Sequence, residues 1–191
     1  MLEKSLLVNE KPIGKTYSYF PGCSLHGTAQ EYDESTHYVC RQLGIELEEL
    51  KDWNCCGATS GHVMAPKVSM GLSKRNLDIA RKKGKDLLVP CIQCFQRLKE
   101  AQEDSADIQL VYLANVLTSA EYLEEIKARV LKPLKGFRVA CYYGCLSVRP
   151  PQIAARGNYE NPITLDVLVN MLGGEAIHWP FKTDCCWGGP M

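Results

Sequence analysis

Cys55 and Cys56 are adjacent, Cys23 precedes them by 31 intervening residues, and the pair Cys91-Ile92-Gln93-Cys94 follows after 34. A second set opens the same way: Cys145, then 39 residues, then the adjacent Cys185 and Cys186. Thiolate sulfur is the preferred ligand of soft metal centres, above all iron–sulfur clusters, which need four or more thiolates converging from separate loops. The first set supplies five. Structural zinc asks for four, usually as two well-separated Cys-x-x-Cys pairs, and fits a vicinal pair badly. Thiol–disulfide exchange would use Cys91 and Cys94 alone and leave three partners idle. Iron–sulfur chemistry therefore fits best, with zinc and dithiol chemistry as the alternatives. Two sets in one chain suggest two redox centres side by side.

The 191 residues can bury a full core in one or two domains. Lys plus Arg balances Asp plus Glu at 22 each, so no global charge draws the chain to nucleic acid or an anionic membrane. Residues 1–11 lack the apolar core of a signal peptide, and no run approaches the roughly 18 apolar residues of a membrane span. The expectation is a cytoplasmic protein without direct membrane insertion, where a reducing milieu argues against a disulfide framework. Of ten cysteines, eight fall into the two sets. Cys40, on an apolar helix face, and Cys141, at a strand end, read as buried thiols.

The elements that must position these thiols follow a recurring order of strand, cysteine-bearing turn and helix. Residues 1–14 read as an extension. Tyr17 to Phe20 is a short β-rich run meeting Pro21-Gly22-Cys23, so Cys23 is expected in a turn after a strand. A helix is expected over 29–43 with Tyr32, Val39, Cys40 and Leu43 inward, then a strand over 45–50 leading to Asn54-Cys55-Cys56-Gly57. Pro66 starts a helix reaching Lys83, with Met70, Leu77 and Ala80 inward, and Gly84 ends it. Residues 86–89 form a buried strand delivering Cys91 and Cys94 to the N-terminus of a helix over 95–102. A helix over 119–131 follows. This is an α/β pattern with sites at strand ends.

Lys132-Pro133-Leu134-Lys135-Gly136 reads as a boundary between a first cysteine-rich domain, 15–132, and a second, 137–191. Tyr142-Tyr143-Gly144-Cys145 echoes Tyr19-Phe20-Pro21-Gly22-Cys23. A helix capped by Asn161-Pro162 carries Leu165, Leu168, Val169 and Leu172, and Leu172-Gly173 repeats Leu43-Gly44. The expected architecture is two tandem α/β units related by a pseudo-twofold duplication. The second is incomplete, cut short of its Cys-x-x-Cys.

The segment Phe20 to Ala29 with Glu31-Tyr32-Asp33-Glu34-Ser35 resembles the B subunit of heterodisulfide reductase. So do Asn54-Cys55-Cys56-Gly57, Pro90 to Cys94, and Tyr143-Gly144-Cys145 with Arg149-Pro150-Pro151. Together they are similar to the CCG-domain signature that this family carries twice. The resemblance implies a non-cubane [4Fe–4S] cluster held by Cys23, Cys55, Cys56, Cys91 and Cys94. It gives Cys145, Cys185 and Cys186 as three of the five ligands for a second. It further implies a methanogenesis-type catalytic subunit that reduces a disulfide, the coenzyme B–coenzyme M heterodisulfide or an analogue, to two thiols. Electrons would come from a ferredoxin-like C subunit, fed by a flavin-bearing A subunit or a membrane cytochrome. The alternative is a non-catalytic electron relay in a glycerol-3-phosphate, lactate, glycolate or succinate oxidoreductase. No G-x-G-x-x-G follows a strand, so flavin is not expected on this chain. His26, three residues after Cys23, is a candidate catalytic proton donor or a structural turn residue. His178 reads as a wall residue, and Lys82, Lys83 and Lys85 as a solvated helix end.

Overall fold

Strands that each run into a helix can pair in one direction only if the helices carry the chain back across the sheet. The computed structural model describes residues 14–58, 61–102, 107–154 and 158–188. In it, β1 (Lys15–Tyr19), β2 (Ile45–Glu49), β3 (Leu87–Val89) and β4 (Leu110–Tyr112) form one sheet in the order β2-β1-β3-β4. Every pair is parallel. The connections are α1 (Cys23–His26), α2 (Gln30–Gln42), α3 (Gly61–Met64), α4 (Pro66–Lys83) and α5 (Ile92–Ala101). After β4 come α6 (Leu113–Leu117) and α7 (Ala120–Arg129). A second sheet pairs β5 (Arg138–Val139) with β6 (Glu175–Ala176), again parallel, with α8 (Thr164–Met171) between them. The fold class is α/β, as expected. The extension over 1–14 lies, apart from Gly14, outside the described residues.

The first sheet is covered on both faces, so its strands are apolar at successive positions. Leu87 and Val89 point to one side, where Phe20, Leu77, Ala80, Phe95 and Leu98 complete a core. Leu88 points to the other, among Tyr17, Tyr19, Cys40, Leu43, Leu113 and Tyr122. A buried Leu contributes roughly 1.5–3 kcal/mol, so β3, buried at all three positions, anchors the sheet from its centre. Cys40 is a core thiol, as the sequence suggested.

Several local expectations need correction. Met70 is exposed, because the inward stripe of α4 runs through Ser69, Ser73, Asn76, Leu77 and Ala80. A shift of one residue rotates a side chain by about 100° and takes it off that stripe. Tyr32 and Val39 are likewise exposed, while Thr36, Cys40 and Leu43 face inward at helical spacing. Cys23 does not sit in an open turn but starts the one-turn helix α1. α5 starts at Ile92 rather than Phe95, so Cys91 is its N-cap and Cys94 lies in its first turn. α8 is capped by Ile163, not Asn161. The strand β4 and helix α6 were not anticipated, since an apolar run as short as Leu110-Val111-Tyr112-Leu113 does not declare its period.

Candidate functional site

In a parallel sheet, neighbouring strands end on the same edge, and whatever follows them shares that edge. β2, β1 and β3 lie side by side, and each is followed by a piece of the first cysteine set. β1 leads through Pro21 and Gly22 to Cys23; β2 leads to Cys55 and Cys56; β3 leads through Pro90 to Cys91 and Cys94. The three turns meet closely. Cys23 Sγ lies 3.9 Å from Cys55 Sγ, and Cys56 Sγ lies 3.3 Å from Cys94 Sγ. Cys94 also shares a hydrogen bond with Cys91, and Cys56 with Cys55. Gly22, at φ 78°, is forced by this crowding: a Cβ there would stand 2.8 Å from Cys94 Sγ. The five thiols thus form one connected series from an exposed end, Cys23, through the buried Cys56 and Cys94 to the half-buried Cys91.

The electrostatics differ along the series. Hydrogen bonding from Cys94, with help from the backbone N–H groups of Cys94 and Gln93 at the start of α5, lowers the Cys91 thiol to about 6. Cys56 is also lowered, chiefly by its hydrogen bond with Cys94. Cys94, placed between these two, is strongly raised. Burial raises Cys55. At neutral pH, Cys91 is therefore the thiolate best prepared to bind a cation.

The vicinal pair is held by residues that sequence reasoning missed. Ser69 Oγ donates to the Gly57 carbonyl at 3.0 Å, and Ser73 Oγ to the Cys56 carbonyl at 2.9 Å. Asn76 accepts from the Asn54 N–H at 3.0 Å and donates to the Asn54 carbonyl at 2.8 Å. A polar stripe at 69, 73 and 76 on an otherwise inward helix face is the signal that could have found them. Gly57, at φ 78°, packs against the same helix; a Cβ there would lie 2.5 Å from Ser69 Oγ and 3.0 Å from its Cα.

The second set repeats details of the first. Gly144, at φ 67°, precedes Cys145 as Gly22 precedes Cys23. The Trp187 N–H donates to Cys185 Sγ at 3.4 Å, just as the Gly57 N–H donates to Cys55 Sγ at 3.4 Å. Trp187 itself takes φ 56°, a conformation rare for a bulky residue. Cys145 is raised by burial first and then by its hydrogen bond with Cys185. Cys185 and Cys186 are exposed.

Both sets open on one cavity of about 530 Å³, within the range of small-molecule sites. Cys91 lines it from the first set, and Cys145, Cys185 and Cys186 from the second. Ile92, Tyr142, Tyr143 and Leu146 line it as well, with His62, Gln93 and Arg97 as polar groups. His26 does not line it. Its Nε2 instead lies 3.2 Å from Glu49 Oε1, which also accepts from Trp53 Nε1 at 2.8 Å, on the side of Cys23. Cys141 is buried and apart from the second set's cavity, its carbonyl accepting from Trp179 Nε1 at 2.9 Å. His178 is exposed and lines no part of the cavity, against the expectation of a wall residue. Lys85 pairs with Glu48 rather than being wholly solvated. Among the described residues, no three His, Cys, Asp or Glu side chains are disposed to hold a single metal ion.

A parallel α/β sheet with thiols gathered along one edge defines a cysteine-rich redox domain. Residues 17–99 match the family described as "Cysteine-rich domain", CCG. The chain is 30% identical to the 8-methylmenaquinol:fumarate reductase membrane anchor subunit of Wolinella succinogenes, over 90% of this chain and 67% of that one. It is 28% identical to a protein of Archaeoglobus profundus named as like the heterodisulfide reductase B subunit, over 92% and 67%. It is 25% identical to the B subunit of the ferredoxin/F420H2-dependent CoB-CoM heterodisulfide reductase of Methanosarcina acetivorans, over 90% and 65%. The chain belongs to the CCG cysteine-rich family that includes the heterodisulfide reductase B subunit. It spans about two thirds of the length of these relatives, all of them reductase subunits or named as like one. No helix among the described residues is long and apolar enough to cross a membrane.

Proposed function

We propose that the chain is an iron–sulfur redox subunit whose two cysteine sets face one bound disulfide. The observation that carries this reading is the shared cavity, lined by Cys91 of the first set together with Cys145, Cys185 and Cys186 of the second. The donor set fits the cofactor: five thiols from three neighbouring turns meet at one end of the sheet, and a group of several irons takes thiolates from separate loops. Cys23, Cys55, Cys56, Cys91 and Cys94 would hold a [4Fe–4S] group, of the non-cubane type by family resemblance. Cys145, Cys185 and Cys186 would supply three ligands to a second, and the units 15–132 and 137–191 would be the two domains. When bound, such groups supply electrons one at a time.

A disulfide becomes two thiols by taking up two electrons and two protons. Facing walls that each address one sulfur match that stoichiometry, with the protons drawn from water. Tyr142, Tyr143, Ile92 and Leu146 give the cavity apolar surface, its open side admits water, and Gln93 and Arg97 offer polar contacts to the substrate's substituents. His26, outside the cavity on the side of Cys23 and 3.2 Å from Glu49, stands as the candidate proton donor at the outer edge. Electrons would come from a ferredoxin-like C subunit with a flavin-bearing A subunit or a membrane cytochrome behind it, in a complex on the cytoplasmic side. The substrate class is the coenzyme B–coenzyme M heterodisulfide or an analogue.

The 30% identity to a fumarate reductase anchor subunit favours a second reading, an electron relay that passes charge to a partner and touches no disulfide. One experiment separates the two. The anaerobically purified chain is counted for iron and acid-labile sulfide, reduced with a viologen, and offered the heterodisulfide. Thiol release by the chain alone supports the first reading; a paramagnetic signal without thiol release supports the relay. Stoichiometric zinc without iron would defeat both.

A further inference from the structure

The two cysteine sets are joined by one buried side chain that neither set contains. Gln96 lies on α5, two residues after Cys94, and is only 2% exposed. Its Nε2 donates to the Leu146 carbonyl, directly after Cys145, and to the Arg149 carbonyl at 2.5 Å. Both N–H bonds of the amide are therefore spent on the turn that presents Cys145. The turn closes on itself as well, with the Val148 and Arg149 N–H groups donating to the Cys145 carbonyl at 3.2 and 2.9 Å. Val148 is 1% exposed, so the far end of the turn is buried too. Gln96 also lines the cavity, between Gln93 and Arg97.

We propose that Gln96 is the positioning residue that sets the separation of the two thiol walls, locking the Cys145 turn to the helix that starts at Cys91. The chemistry allows few substitutes. Two carbonyl oxygens converge on one point, and only a side chain with two N–H bonds on one nitrogen, at that length, satisfies both. A buried carbonyl left without its donor carries a desolvation cost and moves to find water, so loss of the amide releases the turn. Glutamate has the same size and shape but would aim a carboxylate at two carbonyl oxygens. Gln96→Met keeps the length and loses the two N–H donors, and Gln96→Glu adds to that loss a carboxyl buried beside two carbonyl oxygens, so it should be the worse of the two.

The inference rests on the reading that both walls act on one bound molecule, and its test has arms independent of that reading. Hydrogen exchange, followed by mass spectrometry on the whole chain, should be about tenfold faster in the peptide spanning 145–150 in Gln96→Met and faster still in Gln96→Glu. Peptides of β1 and β3 should be unchanged, and so should the iron count and the paramagnetic signal of the first set. With oxidised glutathione or the heterodisulfide as probe, kcat per counted iron site should fall at least about tenfold in the order parent, Met, Glu. Unchanged exchange at 145–150, or a Glu variant equal to the parent, would overturn the inference. Faster exchange in a chain whose parent reduces no disulfide would leave the latch standing and remove the proposed activity instead.

Discussion

Cys56 Sγ and Cys94 Sγ lie 3.3 Å apart although 38 positions separate them along the chain. The contact joins the turn after β2, at one edge of the sheet, to the helix after β3, two strands away, across the end of β1. That closeness, extended by Cys55 to Cys23 and by Cys94 to Cys91, converts a sequence pattern into a single donor set.

If the five thiols act as one set, removing any of them should empty it. Cys55→Ser is expected to abolish the first iron–sulfur signal in electron paramagnetic resonance and to drop the iron count accordingly. Cys141→Ala should leave both unchanged, because that thiol is buried elsewhere. An unaltered spectrum in Cys55→Ser would contradict the ligand assignment.

The cradle on α4 makes a prediction about stability. Asn76 is fully buried and serves both the N–H and the carbonyl of Asn54. Asn76→Ala leaves two part-buried backbone groups without these partners and should cost roughly 1–3 kcal/mol in denaturant unfolding. Asn76→Asp keeps the acceptor but aims a second oxygen at the Asn54 carbonyl. Its stability should therefore recover as pH falls and the carboxyl gains a proton to donate.

The two turns that follow the vicinal pairs should respond in opposite senses to exchange of their third residue. Gly57→Ala forces a Cβ into the left-handed region and within 3.0 Å of Ser69 Cα, a backbone atom, so a loss of at least about 2 kcal/mol is expected. Trp187 already carries that strain at φ 56° and is almost fully exposed. Trp187→Gly relieves it and should raise stability by up to about 1 kcal/mol, read from the same unfolding curves.

Burial raises the Cys40 thiol from its ordinary 9.0 to about 11. The folded state then keeps a proton that the unfolded chain releases, so this group's contribution is complete below about pH 9 and is lost as pH rises towards 11. The loss should reach about 2–3 kcal/mol at the upper end. Cys40→Ala lacks that proton. Whatever its stability at neutral pH, its unfolding free energy should decline less steeply between pH 9 and 11 than the parent's.

Much of the fold was legible because it rests on local rules. Gly44 and Gly84, both at positive φ, stop α2 and α4 where the sequence placed their ends. Pro66 opens α4, and the apolar run Leu87-Leu88-Val89 is the central strand. The thiol ligands were legible for a chemical reason: few side chains bind soft metals, and their spacing is fixed by the elements between them. Less legible were the polar residues that hold those thiols. Ser69, Ser73, Asn76 and Gln96 look like surface residues in a sequence, and nothing local says that a main-chain carbonyl from a distant turn will meet them.

By itself, then, the sequence determined most of the element order as far as β3, the strand-turn-helix rhythm and which atoms could be donors, because these depend on neighbours along the chain; β4 and α6 it left undeclared. Tertiary structure alone decided that the sheet runs β2-β1-β3-β4, which brings three cysteine turns to one edge. It also decided that both sets share one cavity and that His26 turns away from it towards Glu49. Those outcomes depend on how separate elements pack, and the free energy of packing is not written in any one segment.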